Sequence, residues 1–212
     1  MKVLLVNGSP HKEGCTYTAL KEIADTLESC GIETEIFWIG NHNFGGCIAC
    51  KSCVKTGQCV YKDSVNECRK KAYEADGFIF GTPVHYAAAS GSMTSFMDRL
   101  FYSELCGNGN KAFYLKPTAA VMSARRAGTT ATFDQMNKYF TIQEMPIVSS
   151  RYWNMVHGTN PEEVRKDAEG MQTMRILARN MAYMLKCREV AEKAGISAPK
   201  REPSVFTNFI RE

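Results

Sequence analysis

The sequence predicts an α/β protein built on a five-stranded parallel sheet with helices on both faces. Three observations carry that reading. Short apolar runs alternate with longer segments whose apolar residues recur at helical spacing. Several of the runs stop at Gly, Ser or Pro, which break strands. No repeat, low-complexity tract or linker interrupts the alternation before about residue 188. Strand–helix alternation of this kind buries a parallel sheet between two helical layers, and its crossovers are almost always right-handed.

Residues 2–7 (KVLLVN) form the first strand, stopped by Gly8-Ser9-Pro10. Ala19, Leu20, Ile23, Ala24 and Leu27 set a helix from Thr16 to about Ser29, and Gly31 terminates it. Residues 33–39 give the second strand, and 40–62 are irregular. Asp63 caps a helix to about Ala75. Residues 77–82 give the third strand, ended before Pro83, and 92–105 a helix with Met93, Phe96, Met97, Leu100 and Phe101 on one side. A fourth strand at 118–123, a helix at 129–141 and a short fifth strand around 146–153 follow. Pro161 opens a last helix over 161–186. The expected organisation is one domain over 1–187 and an irregular tail or oligomerisation arm over 188–212.

Composition narrows the function classes. The 212 residues are 44% hydrophobic and 23% charged, as in ordinary globular chains. A net charge of +4 is too mild and dispersed for a nucleic-acid binder but suits an anionic small ligand. No run approaches the roughly 18–20 apolar residues that span a bilayer. The opening MKVLLVNGSP is too short for a signal-peptide core, so the expectation is a cytoplasmic protein. Nine cysteines in a reducing compartment read as thiols, metal ligands or redox groups.

Ligands of such sheets bind beyond the carboxyl ends of the strands, which directs attention to the loops there. The first, Gly8-Ser9-Pro10-His11-Lys12-Glu13-Gly14-Cys15-Thr16, joins a buried strand to a helix N-terminus, where free N–H groups and the helix dipole attract phosphate. Ser9, Thr16 and Thr18 add hydroxyls, and His11 and Lys12 add donors or positive charge. It is neither a Walker A loop nor a G-x-G-x-x-G fingerprint, and no acidic residue closes the second strand. The second loop, Thr82-Pro83-Val84-His85-Tyr86, offers a flat apolar and aromatic wall for a planar heterocycle. The third, Ser123-Ala124-Arg125-Arg126-Ala127-Gly128, brings cationic and glycine residues toward the same ligand.

Together these loops, with Ser95-Phe96-Met97-Asp98-Arg99, resemble the flavodoxin-like NAD(P)H-dependent FMN reductase superfamily over about residues 1–187. The resemblance implies a flavodoxin-like three-layer sandwich that binds FMN. Ser9, His11, Thr16, Tyr17 and Thr18 then face the phosphate, and Pro83, Val84, His85 and Tyr86 face the ring, with Ser123, Arg125 and Gly128 on its other side. Position 15 departs from the family, which often carries Asn where this chain has Cys15.

One further motif stands out. Cys47, Cys50, Cys53 and Cys59 follow a C-x2-C-x2-C-x5-C spacing after Gly45-Gly46. Four thiolates this close serve an iron–sulfur cluster or, less naturally for this spacing, zinc; otherwise they are free or disulfide-prone thiols. With Val60-Tyr61-Lys62-Asp63 the motif resembles the iron–sulfur flavoprotein branch of the same superfamily. That resemblance implies a [4Fe–4S] cluster near FMN, fed by NAD(P)H or a ferredoxin-like donor and discharging to a small-molecule acceptor. Related folds complete the ring site with a neighbouring subunit, which implies a homodimer or homotetramer, and the apolar Phe206, Phe209 and Ile210 of the tail are expected to pack on that partner. A non-enzymatic electron carrier or redox sensor using the same cysteines is the alternative. His157 is expected at the mouth of the site or as a surface histidine, and Cys15, Cys30, Cys68, Cys106 and Cys187 are expected to be buried or incidental.

Overall fold

The structure, a computed structural model, describes residues 1–205 and 207; Phe206, Phe209 and Ile210 lie outside them. The first half of the chain runs β1 (Lys2–Asn7), α1 (Cys15–Ser29), β2 (Glu33–Trp38), α2 (Ser52–Thr56), α3 (Ser64–Glu74) and β3 (Gly77–His85). The second half runs β4 (Ala88–Ala89), α4 (Gly91–Asn108), β5 (Thr118–Ala124), α5 (Thr129–Ile142), β6 (Met155–His157), α6 (Pro161–Lys166) and α7 (Ala168–Lys193).

Five strands pair in parallel in the order β2-β1-β3-β5-β6, with β4 antiparallel to the end of β3. The fold is thus the expected flavodoxin-like three-layer sandwich. Residues 3–7 of β1 are wholly buried, which explains a run without polar alternation. Leu4 and Val6 join Phe78, Phe80 and Met122 in one core, packed on Val65 of α3, Phe96 of α4 and Phe140 of α5. Val3 and Leu5 join Ile79 and Val121 in the other, packed on Leu20 of α1 and Met174 of α7. Strand order reverses between β1 and β3, so the loops after these two strands diverge and leave a crevice.

Three expectations are corrected. The fifth parallel strand is Met155–His157 and not 146–153. Ile147 makes a single bridge to Thr118, after which Ser149–Trp153 leaves the sheet and Asn154 re-enters it by accepting from Met122 N at 2.9 Å. The last helix is two helices. Asp167 breaks it because its carboxylate caps α7, accepting from Gly170 N at 2.9 Å, and also takes His157 N at 2.7 Å. That second helix continues to Lys193, past residue 187. The third strand runs through Pro83 to His85, because β1 ends opposite Gly81 and no partner there needs the N–H that proline lacks.

Beyond α7 the described tail returns to its own chain. Tyr114 Oη donates to Pro199 O at 3.1 Å, and Arg201 donates to Glu144 Oε1 at 2.7 Å and to Gly109 O at 2.9 Å. Among the described residues no helix is long and apolar enough to cross a membrane.

Lys116 lies against the Phe78 ring, 5.7 Å from its centroid, and donates to Ala72 O at 2.9 Å. Burial lowers its pKa from 10.5 to about 8. Unfolding therefore takes up a proton between those values, so this group makes stability rise with pH from about 8 to 10.5. Urea denaturation across that window should show a flatter pH dependence in Lys116→Met than in the wild type. Identical slopes would remove Lys116 as the source.

Candidate functional site

The loop after β1 is shaped from within by Asn7, which is fully buried. Its Oδ1 accepts from Ser9 N at 3.0 Å and its Nδ2 donates to Lys12 O at 2.9 Å, so both ends of the turn are tied to one side chain. Ser9 Oγ accepts from His11 N at 3.1 Å, leaving its hydroxyl hydrogen to donate outward. Trp38 Nε1 donates to Ser9 O at 2.8 Å and fixes the loop to β2. Gly14 precedes α1 without a side-chain cap, so the first N–H groups of that helix stay open to an anion.

The loop after β3 is braced by Thr82 and Ser90. Ser90 N donates to Thr82 Oγ1 at 3.1 Å, and Ser90 Oγ donates to Gly8 O at 3.1 Å. Between them the chain turns through Tyr86 and Ala87, both at positive φ (50° and 61°), which thrusts the Tyr86 ring fully into solvent. The loop after β5 packs on that turn. Gly128 has φ 97°, and a Cβ there would stand 2.6 Å from Ala87 Cα, so only glycine fits. Thr16 and Ser123 hydroxyls share a 2.8 Å hydrogen bond that ties α1 to β5.

These loops enclose an open cleft of about 300 Å³. Of the residues singled out from sequence, Ser9, His11, Thr16, Pro83, Val84, His85, Ser123 and Arg125 line it. Tyr17, Thr18, Tyr86 and Gly128 do not; Thr18 Oγ1 is turned back onto Gly14 O at 3.1 Å. The sequence reading missed Ala124, Gly158 and Thr159, and it set Cys15 aside as incidental. Cys15 Sγ lies 3.7 Å from Gly158 O, joining α1 to the turn after β6, and burial pushes its thiol above the ordinary range. Its place as the first residue of α1 was the available signal. Gly158 and Thr159 follow a three-residue strand that carries almost no pattern. His157 stands beside the cleft, its Nε2 3.2 Å from Arg126 O and its Nδ1 3.7 Å from Asp167. A helix N-terminus and hydroxyls at one end, with apolar Pro83 and Val84 at the other, suit a planar ligand with an anionic tail.

The cysteine loop is not wholly irregular, because it contains α2. Ala49 and Lys51 both take positive φ (52° and 55°), curling the chain between Cys47 and Cys53. Cys47, Cys50, Cys53 and Cys59 all border one cavity, together with Tyr61, Arg99 and Tyr102. Cys47 and Cys50 are exposed and Cys53 is buried, and burial pushes the Cys53 thiol up. Asn66 of α3 holds the end of the loop, accepting from Cys59 N at 3.0 Å and donating to Cys59 O at 2.9 Å and Tyr61 O at 2.7 Å. Gly107 of α4 admits the loop: a Cβ there would sit 2.5 Å from Cys53 O. All nine cysteines are free thiols. Among the described residues no group of three or more His, Cys, Asp or Glu side chains is arranged to hold a metal ion. The donor set is nevertheless all thiol and faces one cavity, which fits the soft chemistry of an iron–sulfur centre.

Residues 1–160 match the NADPH-dependent FMN reductase family. An iron–sulfur flavoprotein of Methanocaldococcus jannaschii is 31% identical over 195 residues, covering 88% of this chain and 98% of the relative. An iron–sulfur flavoprotein of Archaeoglobus fulgidus is 30% identical over 198 residues, covering 91% and 96%. The chain belongs to the NADPH-dependent FMN reductase family and is related to its iron–sulfur flavoprotein branch. The crystal structure of RosB with the bound intermediate 8-demethyl-8-formylriboflavin-5'-phosphate has a TM-score of 0.69 at 16% identity, covering 100% of this chain and 94% of RosB. At that identity the likeness concerns the fold.

Asn7→Ala should lower stability by about 1–3 kcal/mol, since Ser9 N and Lys12 O lose their partner in a buried turn. Urea denaturation reads this. A change within a few tenths of a kcal/mol would show that the turn holds without Asn7.

Proposed function

We propose that this protein is an FMN-dependent oxidoreductase that carries electrons from NAD(P)H or a ferredoxin-like donor to a small acceptor. The observation that supports this most is the cleft at the ends of β1, β3 and β5, where eight residues singled out by sequence converge. Ser9, His11, Thr16 and the open N-terminus of α1 would receive the phosphate. Pro83, Val84 and His85 would lie against the ring, and Tyr86 would extend beyond it. Ser123 and Arg125 would approach the ring from β5, where a cation favours an anionic reduced heterocycle. Bound flavin supplies the hydride and single-electron chemistry. The protein's part is to bind, orient and screen it.

Cys47, Cys50, Cys53 and Cys59 would hold a [4Fe–4S] cluster as a second redox centre. The support is the shared cavity lined by all four thiols and the kinship with iron–sulfur flavoproteins. A second reading, thiols acting in a redox sensor or electron carrier, is favoured by the exposure of Cys47 and Cys50. The proposal includes a homo-oligomer. Tyr183, Val190 and Ile196 are 71%, 64% and 66% exposed on and after α7 and offer apolar surface to a second copy.

Protein purified without oxygen should show flavin absorption bands and about four iron atoms per chain. Cys50→Ser should lose the iron and keep the flavin. Ser9→Ala should weaken FMN about ten- to a hundredfold in a fluorescence titration, the loss expected for a hydrogen bond to a charged group. Flavin without iron would leave the thiol reading for the cysteine loop. Protein that ignores added FMN would sink the oxidoreductase assignment.

A further inference from the structure

We propose that Arg99 is a positioning residue for Cys59: its guanidinium orients that sulfur and makes the redox centre of the four-cysteine loop easier to reduce. The inference rests on the reading of that loop as the seat of an iron–sulfur cluster.

Arg99 stands on α4 and is 2% exposed, so its charge is barely screened by water. Nε donates to Cys59 Sγ at 3.3 Å. Nη2 donates to both carboxylate oxygens of Asp63, at 2.9 and 2.8 Å, and Nη1 to Gly45 O at 3.4 Å. One planar group therefore clasps the residues flanking the cysteine loop on both sides, Gly45 and Asp63, and one of its sulfurs. Aromatic rings enclose it, with Tyr61 4.6 Å and Phe44 5.8 Å from the guanidinium carbon to their centroids. Lysine cannot replace this fork, because an ammonium is a point charge without fixed donor directions. Among the described residues, Cys59 has the one loop sulfur that accepts a hydrogen bond from a side chain. The four thiols are thus inequivalent before anything binds.

The physical consequence concerns electrons. Reduction adds one negative charge to a thiolate-bound centre. Hydrogen bonds to the sulfurs are among the factors that set such potentials, and an oriented N–H stabilises the added charge. Asp63 offsets much of the formal charge of Arg99, so the directed Nε–H carries more of the effect than net charge does. In the titration that tests this, the electron comes from the electrode, and no protein bond forms or breaks.

The test is a spectroelectrochemical titration of the anaerobic holoprotein, wild type against Arg99→Lys and Arg99→Gln. Both variants should shift the one-electron equilibrium of the cluster toward the oxidised form by about tenfold, which is about 59 mV lower. The flavin couple in the same sample should not move. Asp63→Asn, which keeps the Nε donor and can still cap α3, should shift the cluster less than Arg99→Gln. If Arg99→Gln does not fold, Arg99→Lys carries the comparison. Cluster potentials equal to the wild type, with iron retained, overturn the role of Arg99 alone. Wild-type protein without iron overturns the reading of the loop beneath it.

Discussion

The cleft depends on how Gly8 is held at the seam between β1 and β3. Its N–H donates to Gly81 O at 2.8 Å, and its carbonyl accepts from Ser90 Oγ at 3.1 Å. The first bond continues the ladder one residue past β1, and the second ties the same residue to the N-cap of α4. The loops on either side of the switch point thus share one hydrogen-bonded residue and cannot move apart independently. A Cβ there would stand 2.6 Å from Met93 Sδ and 3.0 Å from Met93 Cβ, so a larger residue would displace the Met93 side chain. Gly81 is similarly confined: its Cβ would meet Thr16 Cγ2 and Leu20 Cδ1 at 2.9 Å. Close approach of α1 to β3 lets the helix N-terminus open into the crevice.

The cysteine loop depends on a different support. It leaves the sheet after β2 and is gripped from outside by α3 and α4 through Asn66, Arg99 and Gly107. Asn108 Nδ2 adds a bond to Gly57 O at 2.7 Å. Helix α4 therefore serves both regions: its N-cap braces the cleft, and its later turns carry Arg99 and Tyr102 to the cavity of the four thiols. One rigid helix of 18 residues fixes the spacing between the two candidate redox sites.

Where the fold was legible in the sequence, burial on both faces had made it so. VLLV and AAVM, the centres of KVLLVN and TAAVMS, sit in the sheet as continuous apolar runs because helices cover both faces. Short and edge elements were less legible. β6 has three residues, and its position depends on where the chain re-enters after Ser149–Trp153, which no local pattern encodes. The break at Asp167 depends on a carboxylate shared by Gly170 N and His157 N, a tertiary contact invisible to helical periodicity. In the site, residues on the loops after β1 and β3 were legible because strand-to-helix turns advertise themselves. Tyr86 lies outside the cleft lining because its positive φ, imposed by the tight turn into β4, aims the ring outward.

The pairing of Arg99 with Asp63 raises a question of economy. A nearly buried ion pair is weak evidence of stabilisation, since desolvation of both charges consumes most of the attraction and an apolar pair of similar volume often serves as well. If packing were the need, Phe44 and Tyr61 already supply apolar surface to meet a nonpolar side chain. What a nonpolar side chain cannot supply is a donor aimed at Cys59 Sγ while another fork engages the N-cap of α3. Asp63 keeps the guanidinium from rotating, and the cap that Asp63 gives to Val65 N at 3.2 Å keeps Asp63 itself in place. The chain thus runs from a helix cap through a carboxylate and a guanidinium to one sulfur, and each link has its partner fixed by the one before. A purely structural account explains the cap and the burial but leaves the direction of Nε without a reason.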